Sequence, residues 1–353
     1  MHRFIRTLLV WAGTIVLGSC AQDAAPHGAN FFAVEGLEDG VCGNTESQFR
    51  CWGSLWGLNL YSATPVVPQT PFNDWRHISM NSYADEACGL DGMGRLYCGA
   101  SGEVLAPGVQ FSQVSVGGTS RCALATTGVV YCWGDQSTSG VALSDPGVST
   151  CGSSQYAYPC VLQPTPIAST DRFSAIASGD FHHCALATSG QVLCWGGDPS
   201  SLGRGPDVAD PQAPGPITGS EQYRALAAAG YRSCGVTVGG DLACWGSVPE
   251  IVAFPEPTSL KTVSLSSSSA CVLDSTNAAW CWGGGGLGTG VDNDTPLPVL
   301  GNLTFTSITV GGRAACGIAG NGAWCWGAPT GDGSFSWSVI PVRVANQDQF
   351  DDD

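Results

Sequence analysis

Short apolar-rich runs, each ended by a glycine or a turn, recur along the whole chain. Phe111 to Gly117, Phe173 to Gly179, Tyr223 to Gly230, Leu260 to Ser266 and Phe305 to Gly311 are of this kind. Their length and their turn-forming ends predict β-strands rather than helices. Each run leads into a hairpin pattern, and each hairpin is followed by a glycine-rich stretch and a strand led by proline. Pro65-Val66-Val67, Pro166-Ile167, Pro298-Val299 and Pro341-Val342-Arg343-Val344 are examples of that last strand. Four short strands per unit are therefore expected. From one unit to the next the first hairpin cysteine advances by 34 to 62 residues, a spacing that suits a four-stranded propeller blade.

The hairpins are marked by cysteine. Of 17 cysteines, setting Cys20 aside leaves sixteen in local pairs: Cys42 and Cys51, Cys88 and Cys98, Cys122 and Cys132, Cys151 and Cys160, Cys184 and Cys194, Cys234 and Cys244, Cys271 and Cys281, Cys316 and Cys325. Seven pairs share one local sentence, as in Cys122-Ala-Leu-Ala-Thr-Thr-Gly-Val-Val-Tyr-Cys132-Trp-Gly. A ten-residue spacing leaves a three-residue loop midway, and Gly94, Gly128, Gly190, Gly240 and Asn277 hold its third position, which needs a left-handed backbone. In the seventh copy the spacing falls to nine and the loop to Gly320-Asn321. Loop and spacing shorten together, so the two cysteines stay opposite each other, within or near disulfide range. A metal site would need four converging ligands where each hairpin offers two. Within-blade disulfides are the expectation. A single unit cannot cover both faces of its sheet, so the units must stack.

The unit Cys-Ala-Leu, turn, Val-aromatic-Cys-Trp-Gly, then Gly-Leu-Gly-x-Gly resembles the repeat of the regulator of chromosome condensation family. It is fullest in Cys281-Trp282-Gly283 through Gly286-Leu287-Gly288-Thr289-Gly290, and Ser201-Leu202-Gly203-Arg204-Gly205 matches its end. The resemblance spans roughly residues 31–345 and implies an all-β, seven-bladed β-propeller with four-stranded blades. It leaves function open, because that family serves many roles. Blades are expected at about 31–69, 74–108, 111–168, 173–218, 222–254, 260–301 and 305–345. Counted this way no strand is left over to cross from the last blade to the first, so that seam is expected to be held by side-chain packing alone.

The ends change the picture of where the chain works. Met1 to Arg6 are basic, and Thr7 to Leu17 form an apolar run of 11 residues, too short to span a bilayer. The run ends in Leu17-Gly18-Ser19-Cys20, which resembles a bacterial lipobox. Residues 1–19 are thus expected to be a lipoprotein signal peptide, Cys20 the lipid attachment site and 20–30 a tether. With Ala21 next, the outer membrane or cell surface is the expected location. Residues 346–353 read as a solvated acidic tail. Net charge is −16, and loss of Arg3 and Arg6 with the signal takes it to −18. Such a surface repels phosphate backbones, so nucleic acid is not an expected partner.

Candidate chemistry is sparse. No hydrolase, zinc-protease or phosphate-loop signature occurs, and neither a cofactor nor a bound metal is expected. Positions that vary between repeats are free to meet a partner, and the short stretch before each first hairpin cysteine varies most. It carries Tyr83, Asp85 and Glu86, then Arg121, then Phe181, His182 and His183, then Tyr231 and Arg232, and Arg313. These are candidate partner-binding residues on one propeller face, with an ordinary solvated face as the alternative. An insertion of about 30 residues between Gly134 and Pro166 adds Tyr156 and Tyr158, either for binding or as decoration. The leading expectation is a monomeric, lipid-anchored, surface-displayed scaffold, adhesin or inhibitor-like, for an extracellular or envelope protein. The rival is a secreted glycan-acting hydrolase with paired carboxylates at the propeller mouth, for which Asp85 and Glu86 are the adjacent candidates.

Overall fold

A computed structural model describes residues 31–345, apart from 38–39, 46–47, 56–57, 69–74, 81–86, 100–101, 154, 248–253, 255–257, 285–286, 292 and 321. The expected signal peptide, Cys20, the tether, the tail, and Tyr83, Asp85 and Glu86 lie outside the described residues.

Seven antiparallel sheets form a seven-bladed propeller. Blade one is β1 (Phe31–Leu37), β2 (Gly40–Thr45), β3 (Phe49–Leu55) and β4 (Leu60–Val66). Blade two has β5 (Trp75–Ser79), β6 (Cys88–Asp91) and β7 (Leu96–Cys98), extended by a single bridge from Leu96 to Leu105. Blade three has β8 (Phe111–Val116), β9 (Ser120–Ala125) and β10 (Val130–Asp135), then the short helix α1 (Gln136–Ser139), β11 (Val148–Cys151) and β12 (Tyr158–Pro166). Blade four is β13 (Phe173–Ser178), β14 (His182–Ala187), β15 (Val192–Gly196) and β16 (Gly215–Pro216). Blade five shows β17 (Tyr223–Ala229), β18 (Arg232–Thr237) and β19 (Leu242–Gly246) among the described residues. Blade six is β20 (Leu260–Leu265), β21 (Ser269–Asp274), β22 (Ala279–Gly283) and β23 (Asn293–Pro298), and blade seven is β24 (Ser307–Val310), β25 (Ala314–Ala319), β26 (Gly322–Gly327) and β27 (Ser338–Arg343). The insertion in blade three adds a fifth strand, β11, outside β12.

The hairpin geometry follows the spacing. Seven cysteine pairs sit directly opposite each other in the register of the second and third strands, as Cys184 opposite Cys194 and Cys316 opposite Cys325. Each pair is a disulfide, with Cα separations of 4.0–4.2 Å. Cys151 and Cys160 are also bonded, 5.7 Å apart at Cα and diagonal across the β11–β12 pair.

The cores lie between blades, not within them. Each buried apolar cluster joins two neighbours, such as Cys122, Leu124 and Val130 of blade three with Phe173, Ile176 and Trp195 of blade four. The tryptophan of each Cys-Trp-Gly is buried against the blade before it. There the glycine-rich stretch has a use that sequence reading missed. A Cβ on Gly140 would come within 2.5 Å of the Trp195 ring, one on Gly203 within 2.5 Å of Trp245, and one on Gly288 within 2.9 Å of Trp326. Only glycine lets the backbone lie flat on the next blade's indole. The outer strands blunt their edges with proline and with hydroxyls that bond their own backbone, as Ser62 Oγ donates to Thr64 O and Ser338 Oγ to Ile340 O.

The seam between blades seven and one corrects an expectation. It is packed, with Val34, Val41 and Trp52 against Ala314, Ile318 and Ala323, but packing does not hold it alone. The Gly36 amide donates to Thr309 Oγ1 at 2.6 Å. The same bond joins ordinary neighbours, where Val116 donates to Ser79 Oγ and Val310 to Ser264 Oγ, both at 2.9 Å. Gly331 lies on Trp52 as Gly203 lies on Trp245, a Cβ there coming within 2.8 Å of the indole. The seam is joined as blades two and three and blades six and seven are.

Candidate functional site

The first strands of the blades surround a central channel. One mouth of it is lined by Ser79, Ser115, Ser178, Asp180, Ala228 and Ser266 among others, and encloses about 240 Å³. The described turns between the first and second strands of blades four to seven contribute to this mouth. They are tied to one another, because the Gly118 amide donates to Asp180 O and the Asp180 amide to Gly230 O, both at 2.8 Å.

Five described turns each present one side chain, and in four of them the backbone is tied by the same bond. Counting back three residues from the first hairpin cysteine gives Thr119, Phe181, Tyr231, Ser268 and Arg313 among the described residues. The carbonyl at this position accepts from the residue after Cys-Trp-Gly: Asp135 to Thr119 at 3.0 Å, Gly197 to Phe181 at 3.0 Å, Ser247 to Tyr231 at 3.1 Å and Ala328 to Arg313 at 3.0 Å. The Cys-Trp-Gly glycine is required for that fit. At Gly196 φ is 150°, and a Cβ would lie 2.3 Å from Phe181 O. Tyr231 is 44% exposed, and its ring lies against the half-buried Phe181 with centroids 5.6 Å apart. Ser268 and Arg313 are exposed and Thr119 is half-buried. A framework backbone thus displays a side chain that differs from blade to blade.

The pattern of the regulator of chromosome condensation (RCC1) repeat matches residues 173–201, which span this turn, the hairpin and the Cys-Trp-Gly of blade four. Blade four of this seven-bladed propeller thus carries an RCC1-type repeat. Yeast RCC1 (Prp20), solved with Kap60 bound, superposes with a TM-score of 0.65 at 16% identity, covering 98% of this chain and 92% of that one. The CRINKLY WD40 ectodomain of the Arabidopsis thaliana receptor kinase ACR4 gives 0.55 at 20% identity, covering 90% and 98%. The ectodomain of the Physcomitrella patens receptor kinase CR4 gives 0.54 at 22%, covering 83% and 72%. At these identities the likeness is one of fold.

Within the propeller the sequence-predicted residues separate. Phe181, Tyr231 and Arg313 stand on the turns beside the mouth, next to or near the lining residues Asp180, Gly230 and Gly312. His182 and His183 are not available to a partner, being 0% and 2% exposed. They are already part of β14, where His183 faces Trp195 across the hairpin. Arg121 occupies the same register opposite Trp133, within β9, and is half-buried. Arg232 is half-buried and donates to Ser269 O at 3.0 Å and Ser266 O at 3.2 Å, bracing blade five to blade six. Thr119 and Ser268 were missed, although the count from the cysteine would have found them. Tyr156 and Tyr158, 74% and 46% exposed, sit at the tip of the inserted hairpin. Cys160 there lies opposite Asp135, whose amide holds Thr119 O, so the tip leaves blade three on the mouth side.

The two buried histidines form a polar joint. His183 Nε2 pairs with Ser120 Oγ of blade three and its Nδ1 with Ser178 Oγ, both at 2.6 Å. His182 Nε2 pairs with Ser233 Oγ of blade five at 2.8 Å, and its Nδ1 is buried without a partner. Burial pushes His182 down to about 4 against the pull of Asp198, and burial together with His182 pushes His183 down to about 3. Among the described residues lining the mouth, Asp180 is the acidic side chain, and it is 8% exposed. No group of three or more His, Cys, Asp or Glu converges among the described residues.

Proposed function

We propose that this chain is a protein-binding scaffold displayed at the cell envelope through a lipid on Cys20, with the channel mouth as its binding face. The reading is carried by one observation: in the five blades whose turns are described, a repeated backbone presents one variable side chain beside the mouth, with Tyr231 exposed against Phe181. Aromatic anchors of this kind dominate protein interfaces. Supporting it, the eight disulfides fit an oxidising compartment, and two of the similar propellers are named as ectodomains. No catalytic role for the chain is part of this reading. An adhesin and an inhibitor of a secreted enzyme both fit it.

The test is capture of envelope and extracellular proteins by the mature chain, compared with a Phe181→Ala/Tyr231→Ala variant of intact fold. A partner bound through the mouth weakens at least tenfold, about 1.4 kcal/mol. Equal capture by both proteins moves the site to the Tyr156–Tyr158 tip or the opposite face. Replacing Cys20 with Ala should release the chain from the membrane fraction, and unchanged retention there removes the lipid anchor.

A further inference from the structure

We propose that His182 and His183 are an acid-sensitive clasp at the mouth: proton uptake by the two rings releases blade four from blades three and five and loosens the turns that carry Phe181 and Tyr231. The proposal rests on the reading of the mouth as the binding face and adds its regulation.

The geometry is that of a joint. Adjacent residues on one strand reach in opposite directions, His183 to Ser120 of blade three and His182 to Ser233 of blade five. Blade four therefore holds both neighbours through two imidazoles. The mouth turns rest directly on these rings. A Cβ on Gly179 would fall 2.2 Å from His182 Cε1, and one on Gly117 3.1 Å from His183 Cε1. The same turns are the ones chained by the Gly118–Asp180 and Asp180–Gly230 backbone bonds. A ring that moves must move them.

The surroundings disfavour a charged ring. Every hydrogen-bond partner of the two imidazoles is a serine hydroxyl, and His182 Nδ1 has none. The charged groups on the packed elements are Arg121 beside Ser120, Asp135 at the start of α1, Asp180 on the turn, Asp198 after β15, Arg224 on β17, which donates to Leu260 O, and Arg232 beside Ser233. None makes a hydrogen bond or ion pair with either ring, and Asp198 favours the charged form of His182 only through space. Two cations within one strand turn would also repel. Both histidines are held neutral well below their ordinary range, so an opened, hydrated state binds protons that the closed state refuses. Opening is then favoured tenfold per pH unit for each proton taken up, and a hundredfold for two, as pH falls below about 6.5. His77, the other described histidine, does not share this response. Burial alone would push it down, but the Glu35 carboxylate holds it up, so it is charged in both states over this range.

The closing experiment needs no partner. Hydrogen–deuterium exchange of the full mature chain is measured from pH 7 to pH 4.5 and corrected for the intrinsic exchange rate. The expected result is a rise in opening, between tenfold and a hundredfold per pH unit below 6.5, in β9, β13, β14 and β18, with blades six, seven and one unchanged. A His182→Asn/His183→Asn chain keeps hydrogen-bonding groups but cannot take up protons, and its exchange should be flat over the same range. Uniform loss of protection around the ring overturns the clasp, as does full protection of blade four at pH 4.5. An undiminished acid response in the variant overturns it too. Should the variant not fold, the wild-type pattern alone decides. Confined opening without any mouth-dependent partner would leave the clasp standing and remove the binding reading instead.

Discussion

If the seam is an ordinary joint, removing the Gly36–Thr309 hydrogen bond must cost what the same bond costs elsewhere in the ring. Thr309→Val keeps the branched shape of the side chain and deletes only the acceptor. The Gly36 amide, which donates to Thr309 Oγ1 at 2.6 Å, is then left without its partner in a partly buried position. An unsatisfied buried donor costs about 1–3 kcal/mol, and partial burial places this one near the lower end, about 1–1.5 kcal/mol. The seam core of Val34, Val41, Trp52, Ile318 and Val344 is untouched, as is Gly331 on Trp52. Ser264→Ala and Ser79→Ala remove the matching acceptors between blades six and seven and between two and three. The three variants are compared by urea midpoint, followed through tryptophan fluorescence with disulfides intact, and by native hydrogen exchange of β1 and β24. The expectation is three losses within about 0.5 kcal/mol of one another and a single transition. A separate early transition of blades one and seven in Thr309→Val would refute the equivalence. So would a loss there several times those at Ser264 and Ser79.

The joint between blades five and six lacks this bond, because Ala227 stands where Ser79, Ser264 and Thr309 stand in their strands; Ala227→Ser should raise stability by about 0.5–1 kcal/mol, read as a higher urea midpoint. Gly196→Ala would drive a Cβ to 2.3 Å from Phe181 O at a φ of 150°, so a loss of about 2 kcal/mol or more is expected in thermal unfolding, together with displacement of Phe181. His77 Nδ1 meets Glu35 Oε1 at 2.5 Å, and Glu35 Oε2 also accepts from the Ile78 amide at 2.7 Å. Because the folded chain holds His77 above its ordinary value, the ion-pair contribution is complete below pH 6.5 and is lost as pH rises through the raised value; Glu35→Gln should flatten the fall in urea midpoint between pH 6.5 and 8.

Much of the fold is local and so was legible along the chain. A hairpin's loop length decides which residues oppose each other, and that arithmetic placed Cys184 opposite Cys194 and Cys316 opposite Cys325 without any knowledge of the ring. Turn conformation is equally local: Gly94, Gly128, Gly190, Gly240 and Asn277 all have φ between 69° and 100°. Repetition of such units was enough to imply a stacked, closed array. What the ring itself decides depends on residues far apart. His182 and His183 looked like loop residues because they vary between repeats, yet their burial comes from Ser120 and Ser233 on the flanking blades, 63 and 51 residues away. Arg121 and Arg232 likewise read as loop residues, yet strand β9 or β18 has already begun where they stand, half-buried. The bonds across the seam join residues as far apart as Gly36 and Thr309, 273 positions, and no local pattern announces them. Propensity and spacing act within a hairpin, whereas burial in a propeller is made between blades, and only the closed ring brings those surfaces together.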